Sequence, residues 1–418
     1  VRREPARYAE PVPYQFTHED VAFLAGADGT AALEATAELA LRPDTMVGDV
    51  QRLSQAYPGQ QGALTATVLA RRALAPRVAA AADWLLTEDA AQQATADAVA
   101  RLRAQELARR CPGASVHDVT CSVGTELDSL LCQPDLGRVL GSDLDDVRLA
   151  MARHNVPGAA LLRADALTAT SRADVVIADP GRRAGARRTF RMSDTRPPLP
   201  DLLGVLRGRL AVVKCAPGVD YSLLRDEHGF TGQVQAISLD GGVREVCLWT
   251  LPGMAGRRAT VVRSDGSGFE VDDTEPDDVG ADAPGRWIVD PDGAVVRAGL
   301  VRHYAHRHGL WQLDPHLAYL TGDALPPGAR GWPVLEEMRL SAKPLRKRLA
   351  QLDCGTLEIT VRGVDIDPDQ LRRQLKPAGT RSMTLVVARI GDRPTVYICD
   401  AGQRAEGTGP TGRPITGR

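Results

Sequence analysis

The 418-residue chain has no pair of cysteines in CxxC spacing; its seven cysteines stand at 111, 121, 132, 215, 247, 354 and 399. That excludes the common thiolate zinc sites and dithiol redox motifs, and reads as free thiols in a reducing cytoplasm. No apolar run approaches the ~20 residues of a membrane span, and the first residues show no signal-peptide pattern. The expectation is a cytoplasmic protein with no membrane partner. A formal net charge of -2 gives no bulk reason to expect nucleic acid. G-x-G-x-x-G is absent, which disfavours a dinucleotide fold. His303, His306 and His308 match no tetrahedral metal spacing, so no metal is expected and the three read as a basic helix face.

What is present is length enough for two or three cored domains and a charge that is locally uneven. Glu270 to Asp282 carries seven acids and no base, whereas Arg182, Arg183, Arg187, Arg188 and Arg191 follow one another with no acid between them. Residues 1–112 read as an N-terminal helical region: after a polar arm, Ala, Leu and Val recur at three- and four-residue spacing, broken at Gly26, Pro43, Pro58-Gly59 and Pro76. About five helices are expected, one of them running from Leu86 to Arg110. Residues 113–252 alternate strands and helices. Seven strand candidates (HDV, RVLGSD, AALLRAD, ADVVIAD, GRLAVVKCA, QVQAISL, REVCLWTL), the last two joined through Asp240-Gly241-Gly242, predict a mostly parallel sheet closed by a hairpin. Residues 253–300 read as a linker with a solvated acidic loop and two short strand candidates, RATVV and RWIV, 301–400 as a small α/β domain, and 401–418 as a disordered tail.

The chain is organised around His117 to Asp145. A short apolar strand leads into Asp118-Val119-Thr120-Cys121-Ser122-Val123-Gly124-Thr125, then a helix, then a strand ending at Asp143, 19 positions after Gly124. In a parallel open sheet this places the Gly turn and the acid in one crevice at the carboxyl ends of the strands. The turn lets backbone N–H groups approach a ligand, and the carboxylate can accept both hydroxyls of a ribose. An adenosine-containing cofactor is expected. The next strands also end in polar groups, at Arg163-Ala164-Asp165 and at Asp179-Pro180-Gly181-Arg182-Arg183. Taken singly, Asp143 reads equally as the N-cap of the following helix, and Asp165 as a surface turn; it is the series that points to a cofactor site.

Over roughly residues 86–251 this pattern resembles the class I S-adenosylmethionine-dependent methyltransferases, whose first turn is commonly D-x-x-C-G-x-G-T. Here DVTCSVGT keeps Asp118, Cys121, Gly124 and Thr125, with Ser122 where the first Gly usually stands. The resemblance implies a Rossmann-like seven-stranded α/β sheet and S-adenosyl-L-methionine as cofactor. It implies that Asp143 holds the ribose, that Asp165 takes the adenine amino group with Ala166 beside the ring, and that Gln93, Ala94 and Thr95 approach the methionine end. In relatives that methylate exocyclic amines, (N/D)PP(Y/F) faces the target. This chain has Asp179-Pro180-Gly181-Arg182, so Asp179 and Pro180 match while Arg182 replaces the aromatic; an Arg plane can stack on a base or grip phosphate. Cys215, in Val213-Lys214-Cys215-Ala216-Pro217, resembles the nucleophile of RNA 5-methyluridine enzymes, with Lys214 placed to lower its pKa; a buried structural cysteine is the other reading.

The C-terminal unit, from Tyr319 through Arg362-Gly363-Val364 to Arg389, resembles the THUMP-like domain attached to some such enzymes and by relation implies RNA. Its basic residues, Arg339, Lys343, Arg346, Lys347, Arg348, Arg372, Arg373, Lys376 and Arg381, suit a nucleic-acid backbone and equally suit solvated helix faces. The expected activity is methyl transfer to RNA, a tRNA or rRNA base. The alternatives are a protein or small-molecule methyltransferase and a non-catalytic RNA-binding protein that retains the fold.

Overall fold

The computed structural model describes residues 13–182 and 192–405. The contacts divide the chain into two units, one formed by Val1–Cys215 with Ser222–Phe230 and Trp249–Gly253, the other by Ala216–Tyr221, Thr231–Leu248 and Met254–Arg418.

The first unit opens with six α-helices: α1 (His18–Leu24), α2 (Ala27–Ala37), α3 (Met46–Ala56), α4 (Gln61–Leu74), α5 (Glu88–Gln93) and α6 (Asp97–Arg110). Thr17 starts α1 with a capping box: its side chain accepts from Asp20 N–H while the Asp20 carboxylate accepts from Thr17 N–H. The expected single helix from Leu86 to Arg110 is instead two, because Ala94 and Ala96 are extended. Nothing in Ala94-Thr95-Ala96 breaks a helix by itself. Distant groups do it: Arg77 donates to Ala94 O at 3.2 Å and to Ala91 O at 2.5 Å, and its own carbonyl accepts from Asp97 N–H at 2.9 Å. Tertiary bonding overrides the propensity of an Ala-rich run.

The sheet of this unit is parallel, in the order β3 (Ala160–Arg163), β2 (Val139–Asp143), β1 (Val116–Asp118), β4 (Val175–Ala178), β5 (Leu210–Cys215). β1 and β4 are buried throughout, as a parallel strand covered on both faces must be. Helices α7 (Thr125–Leu131) and α8 (Asp146–Asn155) make the first two crossovers, α9 (Leu199–Val205) precedes β5, and α10 (Tyr221–Asp226) follows it. The chain lays β2 and β3 on one side of β1 and then returns to place β4 on the other. The order therefore reverses between β1 and β4, and a crevice opens there at the carboxyl ends.

In the second unit β6 (Gln233–Leu239) and β7 (Gly242–Trp249) form the expected hairpin. Asp240 (φ 52°) and Gly241 (φ 80°) both take positive φ, as a two-residue type I′ turn requires. All seven expected strands are thus present, and two more extend them: β8 (Gly256–Val262) runs parallel to β6, and β9 (Gly268–Asp272) runs antiparallel to β8. These lie in residues 253–300, read from sequence as a linker with short strand candidates; RATVV falls in β8, whereas β9 was not anticipated. The acidic run is not a free solvated loop either. It begins within β9 and is tied to α12 (Val301–His308), where Arg307 pairs with Glu275, Arg302 lies 3.8 Å from Asp277, and His306 lies 2.7 Å from Asp278. The three histidines are thereby placed: His306 on this acid, His308 against the Tyr304 ring, His303 buried.

Beyond β10 (Trp287–Asp290) and α11 (Gly293–Arg297), a second sheet is built from β11 (Leu320–Gly322), β12 (Arg330–Arg339), β13 (Cys354–Arg362), β14 (Arg381–Ile390) and β15 (Arg393–Asp400), in the order β11-β10-β12-β15-β14-β13. Helices α13 (Ala342–Gln351) and α14 (Pro368–Leu375) each present an i,i+4 leucine pair, Leu345/Leu349 and Leu371/Leu375, to Met383, Leu385, Val387 and Ile398. Each buried leucine contributes about 1.5–3 kcal/mol. Trp332, Tyr319 and Tyr397 pack on Val386 and Ala388, whose side chains alternate with those of Leu385 and Val387 along β14. Gln403–Arg404 adds a short strand to β12, so the chain is ordered past residue 400; residues 406–418, expected as disordered, lie outside the described residues. Among the described residues no helix is long and apolar enough to cross a membrane.

Candidate active site

A cleft of about 650 Å³ opens at the β1/β4 switch point, lined by Gln93, Ala94, Asp118, Cys121, Ser122, Thr125, Asp143, Leu144, Asp165, Ala166, Asp179 and Lys214 among others. Its size is that of a small-molecule site. The turn after β1 forms its floor. Val119 N–H donates to Ile177 O and Cys121 N–H to Ser142 O, each at 2.9 Å, so the turn is bonded to both flanking strands. Gly124 caps α7 at φ 98°, and a Cβ there would stand 2.7 Å from Val156 Cγ2; only glycine fits. Ser122 sits at φ 48°, the left-handed conformation that a glycine takes without strain. The turn thus keeps a glycine-like path despite the serine. What holds it is the Ser122 N–H, which donates to Asp143 Oδ2 at 2.9 Å.

The groups at the strand ends suit an adenosine. Asp143 accepts Ser122 N–H on Oδ2 and Asp145 N–H on Oδ1, which leaves each oxygen one lone pair for the two ribose hydroxyls. The helix N-cap role belongs to Asp145, whose Oδ1 accepts from Val147 and Arg148 N–H at 3.0 Å. Leu144 is 59% exposed yet lines the cleft, an apolar side chain held at the mouth where a base could cover it. Asp165 uses Oδ1 to close its own turn onto Leu167 N–H, with Oδ2 left to accept an amino group beside the buried Ala166. The residues present fit S-adenosylmethionine.

Deeper in, charge concentrates. Lys214 Nζ lies 2.6 Å from Asp179 Oδ2, 3.5 Å from Glu126 Oε2 and 2.5 Å from Thr95 Oγ1. Glu126 is held from behind by the fully buried Arg103, whose Nε donates at 2.6 Å and Nη2 at 3.2 Å. Thr120 Oγ1 accepts the Asp179 N–H at 2.6 Å and donates to Asp118 Oδ1 at 3.3 Å, tying the β1 turn to the end of β4. Burial, reinforced by Glu126 and Asp179, pushes the Asp118 carboxyl up to about 7 against the pull of the Thr120 hydrogen bond and Lys214. Behind it, His117 bridges Ser171 and Ser142, and burial pulls it down to about 4, so it is neutral at physiological pH.

Of the residues singled out from sequence, Gln93, Asp118, Cys121, Thr125, Asp143, Asp165, Ala166 and Asp179 line this one cleft. Gly124 shapes it from beneath. Thr95 is turned to Lys214, not into the cleft lining. Pro180 is buried and Gly181 takes its place in the lining; Arg182 pairs by its backbone with Thr195, and its side chain and residues 183–191 lie outside the described residues. Cys215 is buried and absent from the lining. Successive strand residues face opposite ways, and the one that enters the cleft is Lys214. The sequence reading passed over Lys214 as a site group, and also Glu126, Thr120, Leu144 and Arg196. The available signal was a lysine ending the otherwise apolar strand Leu210-Ala211-Val212-Val213.

Comparisons with known proteins agree with this fold. A family model described as THUMP domain-like matches residues 329–401. A methyltransferase candidate from Porphyromonas gingivalis W83 superposes with a TM-score of 0.70 over 94% of this chain and 100% of its own, at 19% identity, which establishes a shared fold. Two Mycobacterium tuberculosis proteins, from strains CDC 1551 and H37Rv, are described as uncharacterized S-adenosylmethionine-dependent methyltransferases; each is 51% identical over 351 residues, 80% of this chain and 95% of its own length. An identity of that extent leaves no room for a different family, and this chain belongs to the S-adenosylmethionine-dependent methyltransferases.

Proposed function

We propose that the methyl acceptor is an RNA, a base of tRNA or rRNA. The observation that carries this is the THUMP-like match at residues 329–401, since THUMP domains proper are RNA-binding modules. In support, α13 and α14 expose Lys343, Arg346, Lys347 and Arg373, with Lys376 just after α14, while the arginine run from Arg182 to Arg191 follows directly on Asp179.

When bound, S-adenosylmethionine would supply an electrophilic methyl group to a lone pair of the acceptor. The protein's part is placement. Asp143, Asp165 and the Ser122–Thr125 turn fix the adenosine end. Asp179, clamped by Lys214 at Oδ2 and by Thr120 at its N–H, is 43% exposed at its side chain and presents Oδ1 to accept the acceptor's proton. Holding the acceptor about 3 Å from the methyl carbon, in line with sulfur, is worth several orders of magnitude in rate.

The test is mass spectrometry of RNA nucleosides from cells with and without the gene, paired with transfer of labelled methyl groups to fractionated lysate. A methylated nucleoside that disappears on deletion is expected. Label found only in protein or small molecules would replace RNA as the acceptor.

A further inference from the structure

Two residues beyond Asp179 the chain forms a short antiparallel ladder: Gly181 pairs with Arg196 and Arg182 with Thr195. The returning strand is firmly rooted. Thr195 is buried, its Oγ1 accepts Leu199 N–H at 2.9 Å and lies 2.9 Å from Pro197 O and 3.0 Å from Met192 O, and Leu199 and Leu202 are fully buried in α9 (Leu199–Val205). Between these anchors Arg196, Pro197 and Pro198 all line the cleft. Arg196 is exposed and makes no ion pair among the described residues.

The position of this segment along the sheet edge decides what it faces. Asp165, Asp143 and the β1 turn follow β3, β2 and β1, whereas Asp179 follows β4 on the other side of the switch point. Three strand spacings separate Asp165 from Asp179, about 14 Å. That span would let Asp165, Asp143 and the β1 turn hold an adenosine while leaving Asp179 to the other side of the cleft. The ladder begins past Asp179, on the acceptor's side. Gly181 itself brings no side chain; a Cβ there would be 3.7 Å from Gln93 Oε1, so its place is open without being a cavity. Gly181 stands where amine-methylating relatives carry the motif's second proline, so that ring is missing here, and the opposite strand brings two proline rings and a guanidinium to the same cleft.

We propose that Arg196-Pro197-Pro198 is the acceptor-side wall of the active site: the planar base to be methylated packs against the proline faces, and the Arg196 guanidinium takes the flanking phosphate. This identification of the acceptor as a base with its phosphate rests on the RNA reading above; the assignment of the wall to the acceptor side rests on the ladder alone. Arg pairs with phosphate through a planar fork, and it is the residue whose loss is read as a change in salt dependence.

The full-length protein and its Arg196→Ala and Arg196→Glu variants would be titrated with fluorescently labelled bulk tRNA across a salt series without cofactor, and with S-adenosylmethionine by calorimetry. Arg196→Ala is expected to weaken tRNA binding about tenfold, with Arg196→Glu weaker still, and to lower the salt slope by about one, with cofactor Kd unchanged within twofold. A comparable loss of cofactor affinity would place the segment on the cofactor side and overturn the proposal. Unchanged tRNA binding, slope and KM in Arg196→Ala would also overturn it. Should wild-type protein neither bind nor methylate RNA, the RNA reading alone fails. Arg196→Ala is then scored on whichever acceptor the wild type labels, where a raised KM keeps the wall and an unchanged KM removes it.

Discussion

Lys214 donates to Asp179 across 2.6 Å at the ends of two neighbouring parallel strands, and the same ammonium lies within hydrogen-bonding distance of Thr95. The contact explains two features at once. It fixes the carboxylate at the end of β4, and it ties down the break between α5 and α6 that brings Gln93 and Ala94 to the cleft.

Replacing Lys214 by methionine therefore tests both. The change leaves the buried Glu126 with Arg103 but without its second cation, and frees Asp179 to swing. Breaking a buried charged cluster from one side costs about 3 kcal/mol, read as a lowered denaturation midpoint. Turnover is expected to fall about 100-fold through misplacement, more than cofactor affinity falls. An unaltered kcat would show that Asp179 needs no clamp.

The turn makes a prediction of opposite sign. Ser122 holds a left-handed conformation that costs a side-chain residue about 1 kcal/mol, so Ser122→Gly is expected to raise stability by about that amount and to leave cofactor affinity equal or better. Gly124→Ala meets both positive φ and Val156, and is expected to cost about 3 kcal/mol and to abolish cofactor binding. Thermal melts and calorimetry on the pair would check this; a destabilised Ser122→Gly would contradict the account of the turn.

Asp143→Ala removes the acceptor of the Ser122 N–H and, on the proposed cofactor placement, that of two ribose hydroxyls. Charge-assisted hydrogen bonds of this kind contribute about 1.5–3 kcal/mol each, so affinity for S-adenosylmethionine is expected to drop about 100-fold by calorimetry. Wild-type affinity in the variant would remove Asp143 from the cofactor site.

Why some of this was legible in the sequence and some not follows from the range of the forces. The strands of the parallel sheet are apolar runs of local origin, and their polar ends at Asp118, Asp143, Asp165 and Asp179 announce one crevice because strand order alone brings them there. The α5/α6 break is not local: it depends on Arg77 and Lys214, 17 and 119 residues from the atoms they hold. Arg196 was invisible for the same reason, since only the ladder with Gly181 brings it to the cleft. In residues 253–300 the runs RATVV and RWIV were legible as strands, whereas β9 was masked by Gly and Asp, which mark turns but here punctuate a sheet extension, three of whose acids meet Arg302, His306 and Arg307 of α12.

Cys215 marks where adjacency in sequence misleads. Next to Lys214, it looked poised as a thiolate; in the strand the two alternate, and Lys214 alone lines the cleft. Cys215→Ala is accordingly expected to keep kcat within a few-fold, and to form no covalent adduct with a fluorinated pyrimidine RNA by denaturing gel. Loss of turnover in a folded Cys215→Ala protein would reinstate the nucleophile.

Asp118 and His117 are neighbours in β1 whose proton equilibria pull stability in opposite directions. His117 is depressed from 6.5 to about 4, so between these values the unfolded chain binds the extra proton, and its contribution to stability rises with pH. Asp118 is raised from 3.8 to about 7, so the folded chain binds the extra proton; its contribution is whole below about 3.8 and is lost as pH rises through about 7. Over pH 4 to 6.5 the two slopes cancel in the wild type, each being at most about 1.4 kcal/mol per pH unit. Asp118→Asn removes one of them. Relative to wild type its stability is expected to climb with pH through this window, whereas that of His117→Asn is expected to fall. Denaturant midpoints at pH 4.5, 5.5 and 6.5 measure both, and parallel curves for all three proteins would mean that neither group carries the shift its burial implies.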